Sequence, residues 1–207
     1  MGPTAANGDT IRHLAMIGNF LPRQCGLATF TTDVWQAMRD RFPDLKVDVY
    51  AMDDHPGRYA YPPAVTGTIP QNELSSYLST ARTIEASGAQ AIWVQHEYGI
   101  YGGPAGEHLL ALLDRTTLPV IVTLHTVLEK PNADERRVLE GLLRRAVNSN
   151  RERLRARLEG DGWDFVGGKY GDTTQEIKAI QEALSGSEES VDDEFDVVVL
   201  PVVGVSC

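Results

Sequence analysis

Cysteine is scarce in this chain of 207 residues, which has only Cys25 and Cys207. Two cysteines so far apart provide neither a disulfide framework nor the closely spaced ligand pairs of a structural zinc site. Apolar runs are short as well, and none approaches the roughly 18 residues that a membrane-spanning helix requires. The chain does not begin with a basic segment followed by an apolar one, so we expect no signal peptide. These absences favour a cytoplasmic protein.

Positive charge is also in short supply. The chain has 19 Lys and Arg residues against 29 Asp and Glu residues, which gives a net charge of −10. Because nucleic-acid binding depends on an excess of positive charge, this balance argues against a nucleic-acid partner. The deficit is uneven, since residues 1–148 have a net charge of −3 and residues 149–207 a net charge of −7. The last part of the chain therefore differs in kind from the rest.

Apolar segments of strand length alternate with segments of helical periodicity through most of the chain. The pattern predicts strands at 14–18, 47–52, 91–95 and 119–124, and helices at 26–41, 74–87, 107–115 and 132–146. Asn132 and Glu135 have the spacing of a capping box at the start of the last helix. Gly88 is a suitable stop for the second helix.

This alternation is typical of an α/β domain, in which a Rossmann-like parallel sheet is covered by helices on both faces. We place the domain at residues 12–148. A disordered leader is expected at residues 1–11. Residues 149–207 are expected to be a divergent acidic tail, partly helical and partly disordered.

The loops that follow the predicted strands are richer in Gly, Pro, His and Tyr than the loops that precede them. They occupy residues 18–26, 53–72, 96–106 and 125–132. Ligands of open parallel sheets bind at the carboxyl ends of the strands. The asymmetry therefore predicts a binding site at this edge of the sheet.

The first of these loops enters a helix at Gly26. Backbone N–H groups and the helix dipole at such a position attract an anion such as phosphate. The dinucleotide fingerprint and the P-loop pattern are both missing, and an ordinary strand-to-helix turn fits the spacing equally well. Cys25, at the same helix terminus, is either a nucleophile with His96 or His125 as its base, or a small residue packed under the loop. We favour the packing role.

The loop after the third predicted strand carries a histidine, a carboxylate, two tyrosines and two glycines: His96, Glu97, Tyr98, Tyr101, Gly102 and Gly103. Sugar hydroxyls need hydrogen-bond donors and acceptors, and sugar C–H faces stack on aromatic rings. The composition of this loop therefore suits a sugar, although a structural hydrogen bond explains the His96–Glu97 pair equally well. In the fourth strand, Thr123 and His125 point to the same face by alternation, which directs His125 towards the cleft.

Three segments of the chain, taken in order, are similar to bacterial retaining glycosyltransferases of family 4, which have the two-domain GT-B fold. The segments are FLPRQCGLATFT at 20–31, VQHEYGIYGG at 94–103 and VTLHTVL at 122–128. The resemblance covers about residues 12–146. It implies the N-terminal, acceptor-side domain of an enzyme that transfers a sugar from a nucleotide-sugar donor to a sugar or glycan acceptor, with no metal and no other cofactor.

The resemblance also implies a role for each loop. The first loop approaches the diphosphate of the donor, the His-Glu loop lies near the transferred sugar, and the Thr-x-His-Thr segment lines the sugar and acceptor pocket. The implied catalytic residues are His96 and His125. The implied donor- or acceptor-binding residues are Arg23, Cys25, Gly26, Glu97, Tyr98, Gly102, Gly103, Thr123 and Thr126.

Residues 149–207 do not match the second, donor-binding domain of the family, since they lack its basic Arg/Lys pair and its Glu-x7-Glu motif. Activity would then require a partner chain that supplies a donor domain. The alternatives are a non-catalytic carbohydrate- or partner-binding module and a truncated remnant. The alternating arginines at 151–157 indicate a solvated helix, and association with a membrane surface is the less favoured interpretation.

Overall fold

The computed structural model of the protein describes residues 11–128 and 130–148. This part of the chain contains a five-stranded, all-parallel sheet and four α-helices, so the predicted Rossmann-like α/β fold is confirmed. The strands are β1 (His13–Gly18), β2 (Lys46–Asp53), β3 (Val65–Pro70), β4 (Ala91–His96) and β5 (Val120–Leu124). The helices are α1 (Gly26–Arg41), α2 (Leu74–Ala86), α3 (His108–Leu113) and α4 (Ala133–Asn148). The predicted tail at 149–207 and residues 1–10 of the predicted leader lie outside the described residues.

The strand order of the sheet is β3-β2-β1-β4-β5. The chain builds outward from β1 through β2 to β3, then returns to the other side of β1 and continues through β4 to β5. The direction of building therefore reverses between β1 and β4. Open α/β sheets bind their ligands in the crevice at such a reversal, beyond the carboxyl ends of the strands.

Strand β3 corrects our interpretation of residues 53–72 as a loop. It pairs in parallel with β2, from Val49 opposite Val65 to Asp53 opposite Pro70. Ile69 is its one fully buried residue, so the segment lacks the apolar pattern from which the other strands were predicted. The strand forms because the edge of β2 offers unpaired backbone groups, which supply a hydrogen-bonding partner that sequence periodicity does not reveal.

Two separate apolar layers pack on the two faces of the sheet, as alternation along the strands requires. On one face, Ile17 and Val94 pack with residues of α2, α3 and α4. On the other face, Met16 and Trp93 pack against Met38 and other residues of α1. Ile11, which we placed in the leader, is buried in this second layer.

Capping side chains and a glycine fix the ends of the helices that were predicted from sequence. The Asn132 side chain accepts hydrogen bonds from the backbone N–H groups of Asp134 (2.9 Å) and Glu135 (3.0 Å). Glu135 in turn accepts a hydrogen bond from the backbone N–H of Asn132 at 2.7 Å. The predicted capping box is thus confirmed. Gly88, just after α2, has the positive φ of 81° that favours glycine.

Candidate functional site

The crevice lies where β1 and β4 end side by side. Gly18, the last residue of β1, is in close contact with Gln95 of β4. A Cβ atom at Gly18 would lie 2.8 Å from the Cβ of Gln95, so only a glycine leaves room for this side chain. The buried amide of Gln95 therefore lies directly against the start of the first loop.

A polar network organises the first loop. The Asn19 side chain is fully buried and donates a hydrogen bond to the Cys25 sulfur at 3.3 Å. Arg23 donates to the side-chain amide oxygen of Asn19 at 3.2 Å and forms an ion pair with Asp54 at 3.5 Å. Its guanidinium is therefore held beside the start of α1, where Gly26 is exposed.

Cys25 acts as the N-cap of α1. Its sulfur accepts a hydrogen bond from the backbone N–H of Ala28 at 3.4 Å. Neither His96 nor His125 makes a hydrogen bond to this sulfur. This geometry supports the packing role for Cys25 and gives no support to a cysteine–histidine nucleophile pair.

His125, directly after β5, is buried between the other loops. Its Nε2 lies 2.9 Å from Oε1 of Gln95, and its ring meets the edge of the Phe30 ring at a centroid distance of 4.9 Å. The side chain is 6% exposed. Burial lowers the pKa of His125 to about 4, so the imidazole is neutral at physiological pH.

His96 has no exposed surface at all. Its ring stacks on Tyr101 at 5.9 Å and meets Tyr98 edge-on at 4.9 Å, and neither of its nitrogens has a hydrogen-bond partner among the described residues. Burial, together with repulsion from a charge on His125, lowers the pKa of His96 to about 3. His96 is therefore also neutral.

The two histidines are on different sides of the sheet. His96 alternates with Val94 and packs in the layer of α2, α3 and α4, whereas His125 packs against Phe30 of α1. The structure therefore does not bring the two predicted catalytic side chains onto one surface. A catalytic role for His96 remains a prediction. Its side chain does not contact solvent in this structure.

Glu97 and Thr126 connect the third and fourth loops. The Thr126 hydroxyl donates a hydrogen bond to the Glu97 carboxylate, and both side chains are half-buried. Glu97 and Thr126 are both predicted binding residues. Their side chains are partly exposed to solvent and contact each other directly. A carboxylate and a hydroxyl in this position can both form hydrogen bonds with the hydroxyl groups of a sugar.

For three other predicted site residues, contacts or backbone geometry within the protein explain the residue type without a ligand. The Thr123 hydroxyl is buried and accepts a hydrogen bond from the Trp93 indole at 2.8 Å. The backbone of Gly102 lies against the chain at Gln71, where a Cβ atom would come within 2.0 Å of the Gln71 carbonyl oxygen. Gly103 has a φ of 78°, which favours glycine whether or not a ligand is bound.

Tyr98 is the last of the predicted residues. Its hydroxyl is buried and has no hydrogen-bond partner among the described residues. Burial, followed by the nearby charges of Glu135 and Glu97, raises the pKa of Tyr98 to about 12. The phenol is therefore neutral, and its ring contributes chiefly by packing against His96.

Sequence reasoning missed four residues that shape the site: Asn19, Phe30, Asp54 and Gln95. Gln95 had a detectable signal, because it is a polar residue that alternates with Trp93 and follows four apolar residues of the strand. Such a residue is buried with its strand and needs hydrogen-bond partners there. Asp54 had no such signal, since its pairing with Arg23 depends on two loops meeting.

Comparison of the chain with models of known protein families gives no match, and comparison with characterised protein sequences gives none either. Within residues 11–128 and 130–148, no three His, Cys, Asp or Glu side chains are grouped so as to hold a metal ion. Over the same ranges, every helix is too short or too polar to cross a bilayer.

Proposed function

We propose that this domain binds a nucleotide sugar at the carboxyl edge of its sheet, as the acceptor-side half of a retaining GT-B glycosyltransferase of family 4. The observation that carries the proposal is the direct contact between the three segments of the chain that bear the resemblance. Phe30 of α1 touches His125 of the fourth loop, Gln95 of β4 bonds to the same His125, and Glu97 of the third loop bonds to Thr126 of the fourth.

The chemistry of these loops suits a sugar. Glu97 accepts hydrogen bonds, the Thr126 hydroxyl both donates and accepts, and Nδ1 of the neutral His125 is not engaged by Gln95. With a pKa of about 4, His125 is a weak base at neutral pH, so we assign it to hydrogen bonding with a sugar hydroxyl and not to proton abstraction.

The first loop suits the diphosphate of the donor. A leaving nucleoside diphosphate requires stabilisation of negative charge, which cationic side chains and helix N-termini supply. Arg23 and the exposed Gly26 at the start of α1 provide both at the same loop. In this proposal the ion pair with Asp54 positions the Arg23 guanidinium, which also binds the diphosphate when the donor is present.

A complete transfer reaction needs a second domain that binds the nucleotide, as the resemblance implies, and residues 149–207 show none of its motifs. A non-catalytic carbohydrate-binding module is the second candidate. It is favoured by the complete burial of His96, which keeps one of the two implied catalytic side chains out of contact with any ligand.

Calorimetric titration of the full chain with UDP-, GDP- and ADP-glucose tests the proposal. We expect saturable binding to at least one of them, and its loss in His125→Ala. His13→Ala is the matched control, because His13 begins β1 at the opposite end of the sheet and pairs with Asp48 at 2.7 Å. A folded chain that binds none of the three sugars contradicts the proposal.

An assay of donor hydrolysis then separates the two candidates. A glycosyltransferase half-site supplemented with its donor domain releases nucleoside diphosphate, whereas a binding module retains the intact donor. Binding without turnover under any combination of chains favours the module.

A further inference from the structure

Gln95 is buried on β4 at the centre of the site, yet nothing in the resemblance assigns it a role. Its side chain is fully buried, and its Oε1 lies 2.9 Å from Nε2 of His125. A carboxamide oxygen can only accept a hydrogen bond, so this contact requires a proton on the histidine nitrogen that faces it. With Oε1 facing the ring, as in this structure, the neutral imidazole carries its proton on Nε2.

A neutral imidazole carries a single proton. If that proton is on Nε2, then Nδ1 of His125 is an unprotonated acceptor. Nδ1 is buried and has no hydrogen-bond partner among the described residues. A buried acceptor without a donor is costly, and a ligand hydroxyl that displaces the groups covering Nδ1 would satisfy it.

We propose that Gln95 is a positioning residue, which fixes His125 in the Nε2–H tautomer and thereby makes Nδ1 the hydrogen-bond acceptor for a hydroxyl group of the bound sugar. The choice of a sugar hydroxyl as the donor rests on the proposed function. The tautomer itself does not, because it follows from the contact between two side chains of the free protein.

Neighbouring groups hold the Cβ and the backbone of Gln95, while its amide nitrogen is buried and has no hydrogen-bond partner among the described residues. Its Cβ fits against Gly18, where any larger residue would collide with it, and its backbone carbonyl accepts a hydrogen bond from the Tyr101 hydroxyl at 2.8 Å. The Phe30 ring meets the imidazole of His125 in a T-shaped contact with a centroid distance of 4.9 Å. In this arrangement Nε2 of His125 faces the amide of Gln95.

The first test is nitrogen-15 NMR of the ligand-free chain at pH 7, where long-range correlations show which nitrogen of each histidine carries the proton. We expect Nε2–H for His125 in the unaltered protein. In Gln95→Met, which keeps the length of the side chain but removes the amide oxygen, the tautomer ratio should shift towards Nδ1–H by about tenfold, as the loss of one hydrogen bond predicts.

The controls are another glutamine and a carboxylate variant. Gln36→Leu removes an exposed glutamine of α1 that bonds to Asp40, and should leave the His125 signals unchanged. Gln95→Glu keeps the accepting oxygen and adds negative charge, so it should preserve the tautomer and raise the pKa of His125 by about 1–3 units. An unchanged pKa of His125 in Gln95→Glu would show that the side chain at position 95 does not face the imidazole, which would overturn its role.

The outcomes separate the two proposals. An Nδ1–H tautomer in the unaltered protein, or the same tautomer ratio in Gln95→Met as in the unaltered protein, overturns the role of Gln95. If the NMR results are as expected, binding of UDP-, GDP- or ADP-glucose should weaken about tenfold in Gln95→Met and be retained in Gln95→Glu. If the unaltered chain binds none of these sugars, the proposed function and the assignment of a sugar hydroxyl to Nδ1 both fail, while the tautomer assignment still stands.

Discussion

Replacement of Gly102 by alanine should destabilise the fold, whereas the same change at Gly99, three residues earlier in the same loop, should not. At Gly102 a Cβ atom would come within 2.0 Å of the Gln71 carbonyl oxygen and within 2.7 Å of the His108 ring. The histidine ring can rotate away, but Gln71 contributes a backbone atom that moves only if the chain moves. At Gly99 no atom lies within 4 Å of the added Cβ.

The expected cost follows from the contacts that must be displaced. The backbone N–H of Gly102 donates to the Tyr77 hydroxyl at 2.8 Å, and that hydroxyl donates to the Gln71 carbonyl at 2.8 Å. Relief of the clash separates these groups, so the strain of overpacking and the loss of buried hydrogen bonds combine. We expect Gly102→Ala to lower the free energy of unfolding by about 2–4 kcal/mol. Gly99→Ala should stay within about 0.5 kcal/mol of the unaltered protein.

Urea denaturation followed by circular dichroism measures both values, with the slope of the transition as a check that the unfolded state is unchanged. Equal stability of the two variants would refute the reasoning, because it would mean that the loop does not lie against Gln71. Greater destabilisation by Gly99→Ala would refute it as well.

Three further predictions concern protonation and helix capping. Because His96 and His125 are neutral when folded but have an ordinary pKa near 6.5 when unfolded, stability should fall with decreasing pH from about 7 to 5, by about 2 kcal/mol for each histidine. A urea midpoint that does not change over this range would contradict the burial of both rings. Asn132→Ala should cost about 1 kcal/mol, measured by thermal unfolding, since it removes the cap of α4. Cys25→Ser should keep the cap and retain sugar-nucleotide binding, and loss of that binding would contradict the packing role of Cys25 under the loop.

Local patterns account for the parts of the fold that could be predicted. Buried apolar segments of strand length identified β1, β2, β4 and β5 to within one or two residues. The spacing of Asn132 and Glu135 identified the start of α4, because a capping box uses atoms only three residues apart. Interactions between residues so close along the chain can be recognised from the sequence alone.

The sequence predicted at which edge of the sheet the candidate site lies, but not how the side chains of the site contact one another. Alternation of strands and helices placed the loops at one edge of the sheet, where Arg23, Glu97 and Thr126 are found. The burial of His96 was not predictable, because a histidine at a strand end is equally compatible with solvent and with the core. Its surroundings depend on how Tyr98 and Tyr101 fold back over the strand.

The sequence by itself determined the class of fold, most of its elements and the edge at which its unusual loops gather, since these depend on periodicity and on neighbours along the chain. Only the tertiary structure decided that residues 65–70 form an edge strand, that the two histidines lie on different sides of the sheet, and that Gln95 bonds to His125. Each of these depends on groups distant in sequence that meet only when the sheet assembles, and a buried polar group takes whichever partner that assembly provides.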